Sequence, residues 1–160
     1  MVQANVMSIQ VWLEMSDACE AVITNQTTSP FENLAAAEPL IRVDGLKEMA
    51  VRHPSQPLIA SAVSDGSNWF LCIVSANPPV EARNAGQLIG AWSLTQFNLV
   101  KQAEFTGVVF DDGQTFQPVR VRCGRNGQMT VVLAFSNDSG EFRIGVVNRL
   151  PASVSNPCPS

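Results

Sequence analysis

One histidine, four cysteines and a cluster of arginines are the residues of this 160-residue chain that could carry chemistry. His53 stands in the proline-rich run RHPSQP. A catalytic imidazole needs a Ser or Cys to deprotonate and an acid to orient it. No G-x-S-x-G accompanies His53, and Ser64-Asp65-Gly66-Ser67 reads as a hairpin turn. A small hydrolase built on His53 is therefore the weakest reading, and no catalytic residue is assigned. Cys19, Cys72, Cys123 and Cys158 lie far apart without a C-x-x-C, so with a single histidine no zinc or redox motif is expected. Cys158, between Pro157 and Pro159, is either an exposed thiol or half of a disulfide. Cys19 and Cys72 sit inside apolar patterns, where they are either paired or small buried hydrophobes.

Asp111-Asp112-Gly113 has oxygen ligands of the kind calcium takes, but the spacing is wrong and no bidentate Glu follows at the required distance. Asp-Gly is what a hairpin turn needs, and Asn137-Asp138-Ser139-Gly140 is explained the same way. No metal and no cofactor are expected. Asn25-Gln26-Thr27 and Asn137-Asp138-Ser139 match the glycosylation acceptor pattern, which is too short to decide anything. Arg120 and Arg122 are two apart on one predicted strand, and Arg125 follows in the next turn. Such a set can clamp a carboxylate or phosphate through planar bidentate donors; its plain alternative is a solvated or charge-protected sheet edge. Gly86 and Gly90 are four apart on a predicted helix, where they serve either close packing on the sheet or the approach of a partner backbone.

Charge narrows the partners. Lysine is nearly absent, Lys47 and Lys101 against eight Arg, and the formal charge is −4. Residues 1–50 hold seven acids against Arg42 and Lys47, whereas residues 101–160 come out at +1. An acidic front half disfavours nucleic acid and anionic lipid, which both need clustered positive charge. No stretch is long enough for a membrane span, and residues 1–10 lack the basic start and apolar core of a secretory signal. The polar-uncharged surface and the cysteines point to an exported or periplasmic protein, with a cytoplasmic one as the alternative.

The elements that must position these residues follow from periodicity. Residues 8–24 read as an amphipathic helix with Val11, Trp12, Met15, Ala18, Cys19 and Val22 on its apolar side. Phe31–Glu38 reads as a short helix capped by Ser29 and closed by Pro39. LIRV (40–43) is a candidate short strand, Asp44-Gly45 a turn, and LKEMAVR a helical turn ending before His53-Pro54. From Leu58 the period becomes two: LIASAVS, the break DGS, then NWFLCIVS, a hairpin. Alternation puts Trp69, Leu71 and Ile73 on one face and Phe70, Cys72 and Val74 on the other, so this strand is central and covered on both sides. Small Ala60 and Ala62 leave room for a helix to approach. Pro78-Pro79 opens a second helix, Val80–Phe97, with Ala85, Leu88, Ile89 and Trp92 buried. TGVVF, PVRVRC, MTVVLAF and FRIGVV then form a four-stranded meander, in which Pro118 implies an edge strand or a late start.

The expected fold is α+β: an antiparallel sheet of about five to six strands with N-terminal and central helices packed on it, in the order α-ββ-α-ββββ. Residues 1–150 form one domain and 151–160 a proline-broken tail. The order of elements resembles that of profilin-like domains, the broad group holding the PAS, extracellular Cache-type and roadblock domains; the resemblance rests on order alone. That order and the absence of catalytic groups give the expectation of a non-catalytic binding or sensing domain that holds a small molecule or peptide between sheet and helices. The alternative is a protein–protein interaction module, an acidic chaperone-like dimer, and a sizing column separates that homodimer from a monomer.

Overall fold

The computed structural model describes residues 9–40, 44–79, 108–109, 115–123, 128–136 and 141–149; for 108–123 and 134–136 it describes the backbone alone. Among the described residues one α-helix, α1 (Ile9–Asn25), is followed by a one-turn 3₁₀ helix (Ser29–Phe31). Eight strands are described: β1 (Ala35–Ala36), β2 (Lys47–Arg52), β3 (Leu58–Ser64), β4 (Trp69–Ala76), β5 (Val108–Val109), β6 (Thr115–Cys123), β7 (Met129–Ser136) and β8 (Phe142–Val147). They make one antiparallel sheet in the order β1-β2-β3-β4-β8-β7-β6-β5. The chain thus lays down two four-stranded meanders that meet along β4 and β8. Six longer strands are flanked by two dipeptide strands, one at each edge. This is the expected α+β arrangement of helix on antiparallel sheet. The expected helix Val80–Phe97, with Gly86 and Gly90, lies outside the described residues, as does the tail.

α1 forms because Trp12, Met15, Cys19, Val22 and Ile23 recur at helical spacing and all become buried. They pack on one face of the sheet, against Ala60, Ala62, Cys72, Val74, Val132, Ile144 and Val146. The register explains the fit. Met49, Ala62, Cys72, Val146 and Val132 line up across five strands, and Val51, Ala60, Val74 and Ile144 form the next row. Alanines on β3 let the helix sit close, as their size suggested. Trp12 stands edge-on to Phe142 with ring centroids 5.0 Å apart, an arrangement aromatic pairs favour. The second face buries Ala50, Ser61, Val63, Ile73, Val131, Leu133 and Val147. β4 is therefore central and buried on both sides, as its apolar run required.

Four local expectations change. KEMAVR is strand β2, not a helical turn: six residues with a central apolar triplet fit either period, and pairing with β3 from Lys47↔Ser64 to Arg52↔Ile59 decides it. Phe31–Glu38 is not helical beyond the 3₁₀ turn. Phe31 is drawn into the core, and Ala35 and Ala36 pair with Arg52 and Val51, so tertiary pairing overrides the helix preference of an alanine run. Ser29 is inside that turn rather than its cap; its N–H donates to Thr27 Oγ1 at 3.2 Å. Trp69 departs from simple alternation because the β3–β4 register slips between Val63 and Ser64. Ser64 pairs with Trp69 while Val63 pairs with Leu71, and this bulge turns Trp69 onto the core cluster under α1.

Pro118 marks a second register shift, between Pro118 and Arg120. β6 begins at Thr115, before the proline, so a late start is not the solution. β5 pairs only with Thr115 and Phe116, and among the described residues the rest of the outer edge of β6 has no strand beside it. The missing donor of Pro118 thus falls where an edge and a bulge tolerate it.

Cys19 on α1 and Cys72 on β4 form a disulfide, with Cα atoms 5.5 Å apart and both residues fully buried. It closes a sequence separation of 53 residues, for which loop-closure entropy alone gives about 4 kcal/mol. The double variant Cys19→Ala, Cys72→Ala is expected to lose about 2–4 kcal/mol, lowering Tm by roughly 5–15 °C in a domain of this size. Calorimetry of folded wild type and variant checks this, and an unchanged Tm would contradict it.

Candidate functional site

His53 follows β2 and reaches across to α1. Its Nε2 lies 2.8 Å from Glu14 Oε2. Its Nδ1 accepts the backbone N–H groups of Ser55 at 3.2 Å and Gln56 at 3.1 Å. An acceptor Nδ1 fixes the tautomer: the ring proton is on Nε2, which donates to Glu14. A nucleophile-activating histidine has the opposite wiring, with the acid on one nitrogen and a hydroxyl or thiol on the other. Here both nitrogens are spent, one on a helix and one on a loop. His53 is a tie that fastens the β2–β3 connection to α1. Its N–H, donating to Leu58 O at 2.9 Å, closes the same loop.

A second polar cluster gathers at the β3–β4 hairpin. Gln26, the residue just after α1, has φ +54°, a left-handed conformation unusual for glutamine and suited to a helix stop. Its side chain compensates. Nε2 donates to Ile23 O and to Trp69 O, both at 2.8 Å, and Trp69 N–H donates to Oε1 at 2.8 Å. The amide thus imitates one rung of a β-ladder at the bulged residue. Asp65 caps the hairpin turn: Oδ1 accepts Ser67 N–H at 2.9 Å and Asn68 N–H at 2.8 Å. Oδ2 accepts Arg149 Nη2 at 2.6 Å. The Arg149 hydrogen bond and then those two N–H groups hold the Asp65 carboxyl well below the usual carboxylate range. The Arg149 guanidinium also covers the Phe70 ring at 4.6 Å from its centroid. Asn148 Nδ2 donates to Trp69 O at 3.1 Å, so the end of β8 is fastened to the same hairpin.

The arginine candidates are placed by the backbone. Arg120 is registered with Val132 and Arg122 with Thr130. Both are on β6, at the far end of the sheet from β1 and on the stretch that β5 leaves open. Their side chains, and Arg125, lie outside what is described, as do Gly86 and Gly90, Asp111–Gly113 and Asn137–Gly140. Of the four cysteines, Cys19 and Cys72 pair; Cys123 is placed by its backbone at the end of β6, opposite Met129, and Cys158 lies outside the described residues. Among the described residues no three His, Cys, Asp or Glu side chains gather to hold a metal. None of the described helices is long and apolar enough to cross a membrane.

Sequence reasoning missed the Glu14–His53 tie and the roles of Gln26 and Arg149. The first joins residues 39 apart and the second residues 43 apart, and no spacing rule announces such pairs. Compared with protein-family models, curated proteins and solved structures, the chain matches none.

Two outcomes follow from these ties. His53→Ala is expected to cost about 1–2 kcal/mol, because two main-chain donors lose their acceptor and the ring its packing. Glu14→Gln should cost less than about 0.5 kcal/mol, since Glu14 is half exposed and screened; urea titrations of both variants check the order. Asp65→Asn is expected to be less stable than wild type at neutral pH. The native carboxyl is lowered, so its contribution is complete above the unfolded aspartate value of about 4 and is lost as pH falls through the folded one. The two melting curves therefore converge in acid, and a gap constant across the range would contradict the assignment.

Proposed function

We propose that this is a non-catalytic binding or sensing domain, exported from the cytoplasm, whose ligand is a small anion taken up at the outer stretch of β6. The observation that carries the reading is the placement of Arg120 and Arg122 on the part of β6 that β5 leaves uncovered among the described residues. Two arginines at a spacing of two, with Arg125 just beyond the strand, offer planar donors matched to carboxylate or phosphate. The wiring of His53 supports the non-catalytic half, because the one imidazole of the chain is committed to structural bonds on both nitrogens. A disulfide buried between α1 and β4 supports export, since such bridges persist in oxidising compartments.

A panel of carboxylates and phosphates in a thermal-shift assay tests the reading. At a ligand concentration about a hundredfold above Kd, stabilisation is about 2.7 kcal/mol, or roughly 5–10 °C. Wild type is expected to show such a rise with at least one anion, and the Arg120→Ala, Arg122→Ala variant to lose it while keeping its own Tm. Absence of a rise with any anion would sink the clamp.

A further inference from the structure

Asp44-Gly45 and Asp65-Gly66 are the same dipeptide in two exposed turns, and both glycines have positive φ, +87° and +99°. Aspartate followed by glycine is prone to a spontaneous rearrangement. The glycine amide nitrogen bonds to the aspartyl Cγ, the C–OH bond breaks, and one water leaves. Hydrolysis of the resulting succinimide at either carbonyl returns aspartate or gives isoaspartate, in which the main chain runs through Cγ. The reaction needs a carboxyl that can be protonated, so that water rather than oxide departs, and one that can rotate its carbon toward the amide.

The two sites differ in those two requirements. Both oxygens of Asp65 are engaged, Oδ1 by Ser67 N–H and Asn68 N–H and Oδ2 by Arg149. The nucleophile is held as well, because Gly66 N–H donates to the buried Ser64 Oγ at 3.0 Å. Asp44 is exposed, and among the described residues its carboxylate has no hydrogen bond or ion pair. We propose that, of the two described Asp-Gly turns, Asp44-Gly45 is the one that forms succinimide and isoaspartate spontaneously in the folded protein, and that the hairpin lock protects Asp65 from the same modification. The lowered Asp65 carboxyl acts in the same direction, since a carboxyl held below its ordinary range is protonated less often at a given pH.

The folded full chain, incubated at mildly acidic pH and mapped by peptide separation with electron-transfer fragmentation, tests this within one molecule. IsoAsp44 is expected to accumulate at least about tenfold faster than isoAsp65, and reduction and unfolding in urea should bring the two rates together. Arg149→Ala and Ser64→Ala, each shown to be folded by circular dichroism, are expected to raise isoAsp65 and leave isoAsp44 unchanged. Equal rates in the folded wild type, or a faster rate at Asp65, would overturn the proposal. So would isoAsp44 forming only in urea, or neither variant raising isoAsp65.

Discussion

The contact between α1 and β4 at Cys19 and Cys72 is the constraint on which the other elements depend. β4 is the strand where the two meanders join, so whatever fixes α1 to β4 also fixes it over the seam between β3 and β8. The covalent bond and the packing enforce the same register. Cys72 lies in the row of Met49, Ala62, Val146 and Val132, and a one-residue slip of β4 would take Cys72 and the rest of that strand's helix-facing set to the other face. A disulfide at this point excludes the slipped alternatives in the unfolded chain as well as holding the native one.

Once α1 is seated, the polar side chains are used to close its periphery. Gln26 joins the C-terminal end of the helix to the bulge at Trp69, and Glu14 joins its middle to His53. Asp65 and Arg149 join the tip of the first meander to the end of the second. Each tie ends in a loop or turn residue that also binds main-chain groups, which would otherwise face water without fixed partners. The residues with the richest chemistry in the first half of the chain are therefore consumed in holding the fold. A histidine with two accepted N–H groups and one donated bond is a joint.

What the sequence disclosed, and what it hid, divides along the range of the interactions. α1, the β3–β4 hairpin and the second meander are legible because helical spacing at Trp12, Met15 and Cys19 and alternation at Leu58–Ser64 are local signals. β2 is not legible because KEMAVR is too short for either period to dominate, and pairing with β3 decides it. The Trp69 bulge was invisible, since a register slip is a property of two strands and leaves no mark on one. Pairing of Cys19 with Cys72, among three arithmetical possibilities, required knowing that a helix face and a central strand come together. The ties of His53 and Gln26 were hidden for the same reason.

Topology also turns a sequence asymmetry into a spatial one. Residues 1–79 carry eight acids and three bases, whereas residues 108–149 carry four acids and five bases. Between them Glu81 and Glu104 balance Arg83 and Lys101. Had the second meander interleaved with the first, these charges would alternate along the sheet and largely cancel. In the order β1-β2-β3-β4-β8-β7-β6-β5 the strands of the two halves stay apart, those of the first on one side of the β4–β8 seam and those of the second on the other. β6, the strand with two arginines, is separated from β3 by β4, β8 and β7 at about 4.8 Å per step, whereas α1 lies over the seam and reaches β7. That separation exceeds a Debye length of about 8 Å at physiological salt. The acids on the strands of the first meander therefore act on β6 only weakly.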